Sequence, residues 1–414
     1  MSRNTKIATA AWLLAAVYYF YQYTLRSAPS VMMTQLSDTF GLSALGVASL
    51  VGLFYYGYSP FSLVAGAAMD RFGTRQVIPI GAIAVGIGAL LFSSGNQTLG
   101  SVGRLLQGAG GVFALVGAVY IASRYFPPAK AATLIGATQM FGMAGGSAGQ
   151  FAVGPLMSGG VTLRAFWGIM GIAGILIGVI LWIMLPREKQ PEQSGNWLAN
   201  AMQAFKIVFK NPQSVLCGII AGLLFIPTTI FDMIWGVRFL QDAHGFDYAT
   251  AVLRSATVPF GWIIGCPLLG FISDRIGKRR PVIIGGASVL LLCLIWILYG
   301  KPGVLPAYIP GLVTGIASGA AMLPYTVIKE ANPPRVSGTS TGVINFINFT
   351  FSALLGPVFG KILARASGEA SSLDASHFRT AFLPLVFGVA IAIVLTIILR
   401  ETGPAIKNTL QYEQ

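Results

Sequence analysis

The sequence predicts an all-α integral membrane protein of twelve transmembrane helices arranged as two six-helix halves, and three observations carry that prediction. Hydrophobic residues make up 55% of the 414 and charged residues only 10%, with a mean hydropathy of +0.72, whereas soluble domains carry about a quarter charged residues. Apolar runs at or near the ~20 residues that a bilayer requires recur along the whole chain. Finally, the stretch Gly66-Ala67-Ala68-Met69-Asp70-Arg71-Phe72-Gly73-Thr74-Arg75 returns once, as Gly270-Phe271-Ile272-Ser273-Asp274-Arg275-Ile276-Gly277-Lys278-Arg279. The offset, 274 − 70 = 204 residues, is close to half the chain, so one half-length unit is used twice.

Reading the runs in order places spans near 8–34, 44–68, 76–94, 98–122, 131–155, 163–186, 214–239, 249–272, 281–299, 304–328, 336–364 and 377–400. The expected organisation is an N-terminal bundle over 1–186, a linker over 187–213 and a C-terminal bundle with a short tail over 214–414. In the linker, Pro186-Arg187-Glu188-Lys189-Gln190-Pro191 is a polar break. Trp197, Leu198, Ala201, Met202, Phe205, Val208 and Phe209 then recur at helical spacing, with Asn200, Gln203, Lys206 and Lys210 opposite. That pattern suits an amphipathic helix on the inner membrane surface.

Most Lys and Arg fall in alternate connections, among them Arg71, Arg75, Arg124, Lys130, Arg187, Lys189, Arg275, Lys278, Arg279 and Arg400, while the turn Ser93-Ser94-Gly95-Asn96-Gln97 has none. With an even number of spans, this bias puts both termini in the cytoplasm. It also makes the net charge of +14 a statement about topology and not about nucleic acid. Cys217, Cys266 and Cys293 lie inside apolar runs with no metal or disulfide spacing. No nucleophile–base constellation and no phosphate-binding G-x-x-x-x-G-K-[ST] loop appears, so neither an enzyme nor an ATP-driven pump is expected.

The repeated G-x-x-x-D-R-x-G-x-[RK] stretch resembles the helix 2–3 loop signature of the major facilitator superfamily of secondary transporters. Arg104-Leu105-Leu106-Gln107-Gly108-Ala109-Gly110 resembles the superfamily's R-x-x-Q-G-x-G signature in helix 4. The resemblance implies two halves related by a pseudo-twofold axis around a central cavity. It implies that Arg104 contacts helix 1 or 2 and supports proton coupling; packing against helix carbonyls is the plain alternative. It further implies that Gly66, Asp70, Arg71, Gly73 and Arg75, with Gly270, Asp274, Arg275 and Gly277, latch the cytoplasmic side. Position adds Glu330 to that latch.

A charge inside a span costs ~2.5–3.5 kcal/mol on insertion scales, so each is a functional candidate. Tyr19, Gln22, Tyr23 and Arg26 share one helical face, and a guanidinium framed by tyrosines suits a carboxylate. The stretch is similar to helix 1 of the superfamily's organic-anion symporters, which carry N-Y-x-D-R there; here Leu25 stands where they have the acid. Asp232 is the one acid well inside a span. Shifting Arg26 by 204 lands on Ile230, so Asp232 is expected at similar depth, either pairing with Arg26 or carrying a proton or an ammonium group. Arg254 is a second anion candidate, with snorkelling as its alternative. Tyr55, Tyr56, Tyr58, Gln139, Trp235, Asn345 and Asn348 are candidates for the lining. Span 5 carries Gly142, Gly145, Gly146, Gly149 and Gly154-Pro155, similar to the glycine–proline signature of drug–proton antiporters and equally suited to close helix packing.

The expectation is therefore a monomeric, proton-coupled secondary transporter of a small anionic or zwitterionic organic solute, with no cofactor or metal, in a bacterial inner membrane. Drug–proton antiport is the competing reading.

Overall fold

The computed structural model describes residues 3–126, 128–186, 197–300, 308–368 and 373–403. Helix starts are written in the sequence. Ser43, Asn96, Thr162, Asp247 and Asp374 precede apolar runs, and each side chain accepts a backbone N–H of the first turn. Such a cap is worth about 1 kcal/mol. All five lie at the start of even-numbered spans, so they mark one face of the molecule, called here the far side; the opposite face, where spans 2, 8 and 12 end, is the termini side.

The helices are α1 (Arg3–Ser27), α2 (Met33–Phe40), α3 (Ala44–Phe72), α4 (Thr74–Ser93), α5 (Gln97–Tyr125), α6 (Pro128–Phe151), α7 (Val153–Ser158) and α8 (Leu163–Met184) in the first half. The linker helix α9 (Trp197–Lys210) follows. The second half holds α10 (Pro212–Ile226), α11 (Gly236–His244), α12 (Tyr248–Ile276), α13 (Arg280–Tyr299), α14 (Ile309–Ser318), α15 (Leu323–Glu330), α16 (Ser337–Ser367) and α17 (Ala375–Ile398). Ten stretches are long and apolar enough to cross a membrane among the described residues. With α1 and α6, of 25 and 24 residues, they make the twelve transmembrane helices of two six-helix halves. The surface agrees: Ile169, Ile183 and Leu292 are 65%, 69% and 67% exposed, a pattern that only lipid tolerates over so wide an area.

Among the described residues four spans are broken, span 5 at Ala152 between α6 and α7. Span 1 ends in a 3-10 turn, Ala28–Val31. Span 10 carries another, Gly319–Met322, between α14 and α15. Span 7 contains a nine-residue π-helical segment, Pro227–Trp235, between α10 and α11.

Among the described residues two helix pairs carry most of the contact between the halves. Span 2 packs on span 11: a Cβ at Gly66 would come within 2.9 Å of Gly338 O at the termini side, and one at Gly360 within 2.6 Å of Leu45 Cδ1 at the far side. Span 5 packs on span 8, from Gly136 against Pro267 to Gly154 against Val252. Contact therefore runs from one face to the other, and the centre is closed on both sides. In the linker helix, Val208 is buried and Phe205 half-buried, and Phe209 meets Phe346 of span 11 edge-on, while Met202 of the expected apolar face points outward. The polar break at 187–191 lies outside the described residues, as do Lys130's side chain and the C-terminal tail from 404.

Candidate functional site

Arg26 closes the last turn of α1 and is 2% exposed. Its guanidinium carbon lies 4.7 Å from the ring centroids of both Tyr23 and Phe349, 4.9 Å from Tyr55, 5.4 Å from Phe54 and 5.5 Å from Tyr58. Helix periodicity supplies Tyr23, one turn before Arg26; span 2 supplies Phe54, Tyr55 and Tyr58; span 11, from the other half, supplies Phe349. Ring faces attract a cation and so hold it in a dry site. They do not saturate its donors. Nε makes one long bond, 3.5 Å, to Tyr55 Oη, and neither Nη1 nor Nη2 has a hydrogen-bond partner among the described residues. A buried charge with two idle donors is expensive unless a partner arrives, and the planar fork that remains matches a carboxylate.

Neutral polar groups surround the cage. Tyr19 donates to Gln139 Oε1 at 3.0 Å. Tyr325 donates to Asn345 Oδ1, and Asn348 Nδ2 donates to Tyr325 at 3.0 Å. Both polar side-chain atoms of Gln22, with Asn348 Oδ1 and Gln139 Nε2, are buried without partners among the described residues. Expected residues Tyr19, Gln22, Tyr23, Tyr55, Asn345 and Asn348 are therefore gathered around Arg26, but Tyr56 is 42% exposed and faces outward.

Asp232 does not pair with Arg26. It lies in the π segment, 4% exposed, and its Oδ1 accepts from Ser255 at 2.9 Å. Gln150 Nε2 bonds the same Ser255 Oγ at 3.2 Å and Ser30 Oγ at 3.3 Å. Nor does Asp232 pair with Arg238, which bonds Asp242 one turn on at 2.9 Å. Trp235, the last π residue, is buried.

Arg104 makes the expected contact with spans 1 and 2. Its Nη1 donates to Leu25 O of span 1 (3.3 Å) and to Gln107 (2.7 Å), and Nη2 to Val51 O of span 2 (3.3 Å). Arg254 does not join the cage: its guanidinium carbon stacks 3.6 Å over Phe246, in the connection before α12. The span 5 glycines serve close approach; a Cβ at Gly145 would stand 2.0 Å from Phe20 O of span 1.

The repeated loops differ from expectation in detail. Gly73 (φ 74°) and Gly277 (φ 70°) supply left-handed turns, as the motif requires. Gly66 permits the contact with Gly338, but Gly270 has open space around it. Arg71 and Arg75 sit half-exposed at the loop; the side chain of Asp70 lies outside the described set. In the second copy Asp274 pairs with Arg279 and not with the exposed Arg275. Arg279 also bonds Glu330 at 2.9 Å, and Glu330 accepts from Thr402 at 2.6 Å. Glu401 accepts the backbone N–H groups of Arg279 and Arg280 at 2.6 and 2.9 Å, capping α13. Glu330 thus joins the network expected of it, but every partner lies in one half.

Sequence reasoning missed Phe54 and Phe349, which look like ordinary packing, and the Gln150–Ser255 contact. One signal was available: Gln139 and Gln150 are eleven residues apart, three helical turns, on one face of span 5.

Two halves of six helices, closed over a buried arginine at their interface, define a multi-pass membrane carrier and not an enzyme. The sequence profile of the Major Facilitator Superfamily matches residues 15–357, and the chain belongs to that family. It is 26% identical to the hexuronate transporter of Bacillus subtilis (strain 168), over 94% of this chain and 95% of that one. It is 24% identical to the membrane sensor protein UhpC of Salmonella typhimurium (86% and 85%) and 22% identical to the cis,cis-muconate transport protein of Acinetobacter baylyi (93% and 96%). A solved bacterial homologue of the human lysosomal transporter Spinster, inward-facing and unoccupied, superposes with a TM-score of 0.68 at 19% identity, covering 96% of this chain and 98% of that one; at that identity the likeness speaks for the fold.

Proposed function

We propose that the protein is a proton-coupled secondary transporter of a small hydroxylated monocarboxylate, working as a monomer by alternating access in a bacterial inner membrane. The observation that carries this is Arg26: a buried guanidinium, two idle Nη groups and a wall of five aromatic rings. One cationic fork takes one carboxylate. The idle amides of Gln22, Gln139 and Asn348 suit hydroxyls on the rest of the solute. Hexuronate and muconate, which name two of the relatives, are both carboxylates. An apolar cation would meet fixed positive charge in the cage, so drug efflux has less support.

Asp232, the buried acid near the cage, is the proton carrier in this reading. The halves 1–186 and 214–414 move against each other with 187–213 as tether, both termini lie in the cytoplasm, and the span 2 and span 8 loops latch that side.

The test is uptake of radiolabelled D-glucuronate into proteoliposomes. Wild type should accumulate it when the pH is lower outside. Arg26→Ala should lose both accumulation and exchange. Asp232→Asn should lose gradient-driven accumulation while still exchanging labelled for unlabelled solute. Uptake by Arg26→Ala equal to wild type would contradict the anion site, and full accumulation by Asp232→Asn would contradict the proton role.

A further inference from the structure

Directly on the far side of the cage lies an open cleft of about 740 Å³ whose walls come from both halves. Ser30, Val31, Thr34 and Ser158 line it from the first half, and Val237, Arg238, Gln241 and Tyr248 from the second. Ser30 forms part of its floor and is at the same time one end of the buried cluster around Asp232. Ser30 and Gln150 belong to the first half; Asp232 and Ser255 belong to the second. Their exposures are 4%, 0%, 4% and 2%, so the four side chains form a buried polar crossing between the halves.

We propose that Ser30, Gln150, Asp232 and Ser255 are a gate that bolts the two halves between cage and cleft, and that the π-helical segment links this gate to Arg26. The proposal deepens the transport reading given above and rests on it for the direction of solute movement.

Three features make the cluster a gate and not a permanent clamp. First, its hydrogen bonds are incomplete. Gln150 Nε2 divides itself between Ser30 and Ser255 at 3.3 and 3.2 Å, while Gln150 Oε1 and Asp232 Oδ2 are buried with no partner among the described residues. Opening towards the cleft would hydrate both idle acceptors, which offsets the bonds given up. The closed and open arrangements are thereby kept close in free energy, as a switch requires. Second, Gly236 makes the space: a Cβ there would stand 2.8 Å from Ser255 Oγ and 3.0 Å from Asp232 Oδ1. Third, the bolt and the cage are fastened to the same irregular segment. Tyr55, whose hydroxyl accepts from Arg26, donates to Thr229 O at 3.0 Å. Asp232 follows three residues later within the same π run. A π segment closes each hydrogen bond over one more residue than an α-helix does, and releasing it to α-helix re-aims the side chains beyond it. A solute that draws Arg26 and Tyr55 to itself pulls on Thr229 and so on the register that positions Asp232.

Distance measurement across the cleft tests the gate itself without assuming any substrate. Spin labels are placed at Ser158→Cys and Gln241→Cys, one on each wall, in a chain with Cys217, Cys266 and Cys293 replaced by Ala. In the unliganded protein the labels should report one dominant short distance. Gln150→Ala, which removes the bridging amide, and Ser255→Ala, which removes the hydroxyl shared by Gln150 and Asp232, should each add a longer-distance population. The two variants act from opposite halves, so a folding defect in one leaves the other decisive. Unchanged distributions in the folded variants would overturn the gate. Adding D-glucuronate should shift the distribution in the parent and not in Tyr55→Phe, which lacks the bond to Thr229; an equal shift in both would overturn the π-segment link while leaving the gate standing. Gate opening in Gln150→Ala with no response to any carboxylate would support the gate and contradict the anion reading.

Discussion

Arg26 and Arg104 are both buried arginines of the first half, yet their hydrogen bonding differs. Arg104 has spent its Nη donors on the carbonyls of Leu25 and Val51 and on Gln107; Arg26 has spent almost none. Hydrogen bonds to a charged group contribute about 1.5–3 kcal/mol each. Arg104→Ala should therefore lower the melting temperature of the empty protein, because two spans lose their tie and their carbonyls are left dry. Arg26→Ala should leave that temperature unchanged or raise it, because an unpaired charge is removed from an apolar site. A thermal melt of both variants in detergent checks this; a large loss of stability in Arg26→Ala would mean that the cage is a structural ion site. The sequence revealed Arg26 because Tyr19, Gln22 and Tyr23 share its helical face. It could not reveal Phe349, 323 positions away in the chain (349 − 26), since which phenylalanine covers a charge is decided by packing between helices. Arg254 illustrates the converse: it lies two turns into span 8, but a ring in the preceding connection, Phe246, captures it.

At the scale of elements, the contrast between smooth and broken helices matters most. Span 5 is drawn against span 1 until backbones touch, with Gly145 at the point of contact. Gly145→Ala would force a methyl to within 2.0 Å of Phe20 O, so the helices must separate, at about 1–3 kcal/mol for overpacking. Its expected outcome is a lower melting temperature and weaker solute binding, because span 1 carries the Arg26 face. Unaltered stability would show that the seam yields freely. The glycines themselves were legible in the sequence, and both readings offered for them were open; the distances favour packing. The π segment was not legible. Pro227-Thr228-Thr229 looks like an ordinary helical stretch with one proline, and only the inserted register shows that Asp232 has been turned towards Ser255. The cap on α13 was hidden for a similar reason: Glu401 follows the final span by sequence but reaches Arg279 and Arg280 through space.

For the whole molecule, the repeat at half-length offset was enough to establish twelve spans in two halves, because hydropathy and lengths leave a membrane chain few alternatives. It was not enough to say how the halves touch. The duplicated loops were expected to latch the same side, but the second copy closes on Glu330 and Thr402 within its own half, while contacts across halves at that end include Gly66 on Gly338 and Gly136 on Pro267. Contact between the halves thus runs to both faces around a buried charge, the arrangement from which the proposed alternating access starts. The central claim is that this partner is a carboxylate held by the fork of Arg26. The most direct measurement is calorimetric titration of D-glucuronate and its uncharged methyl ester into purified wild type and Arg26→Lys. The account predicts binding of the acid to wild type, a loss of at least about tenfold in Arg26→Lys, where a point charge replaces the fork, and no binding of the ester. Equal affinity of wild type for acid and ester, or of wild type and Arg26→Lys for the acid, would contradict it.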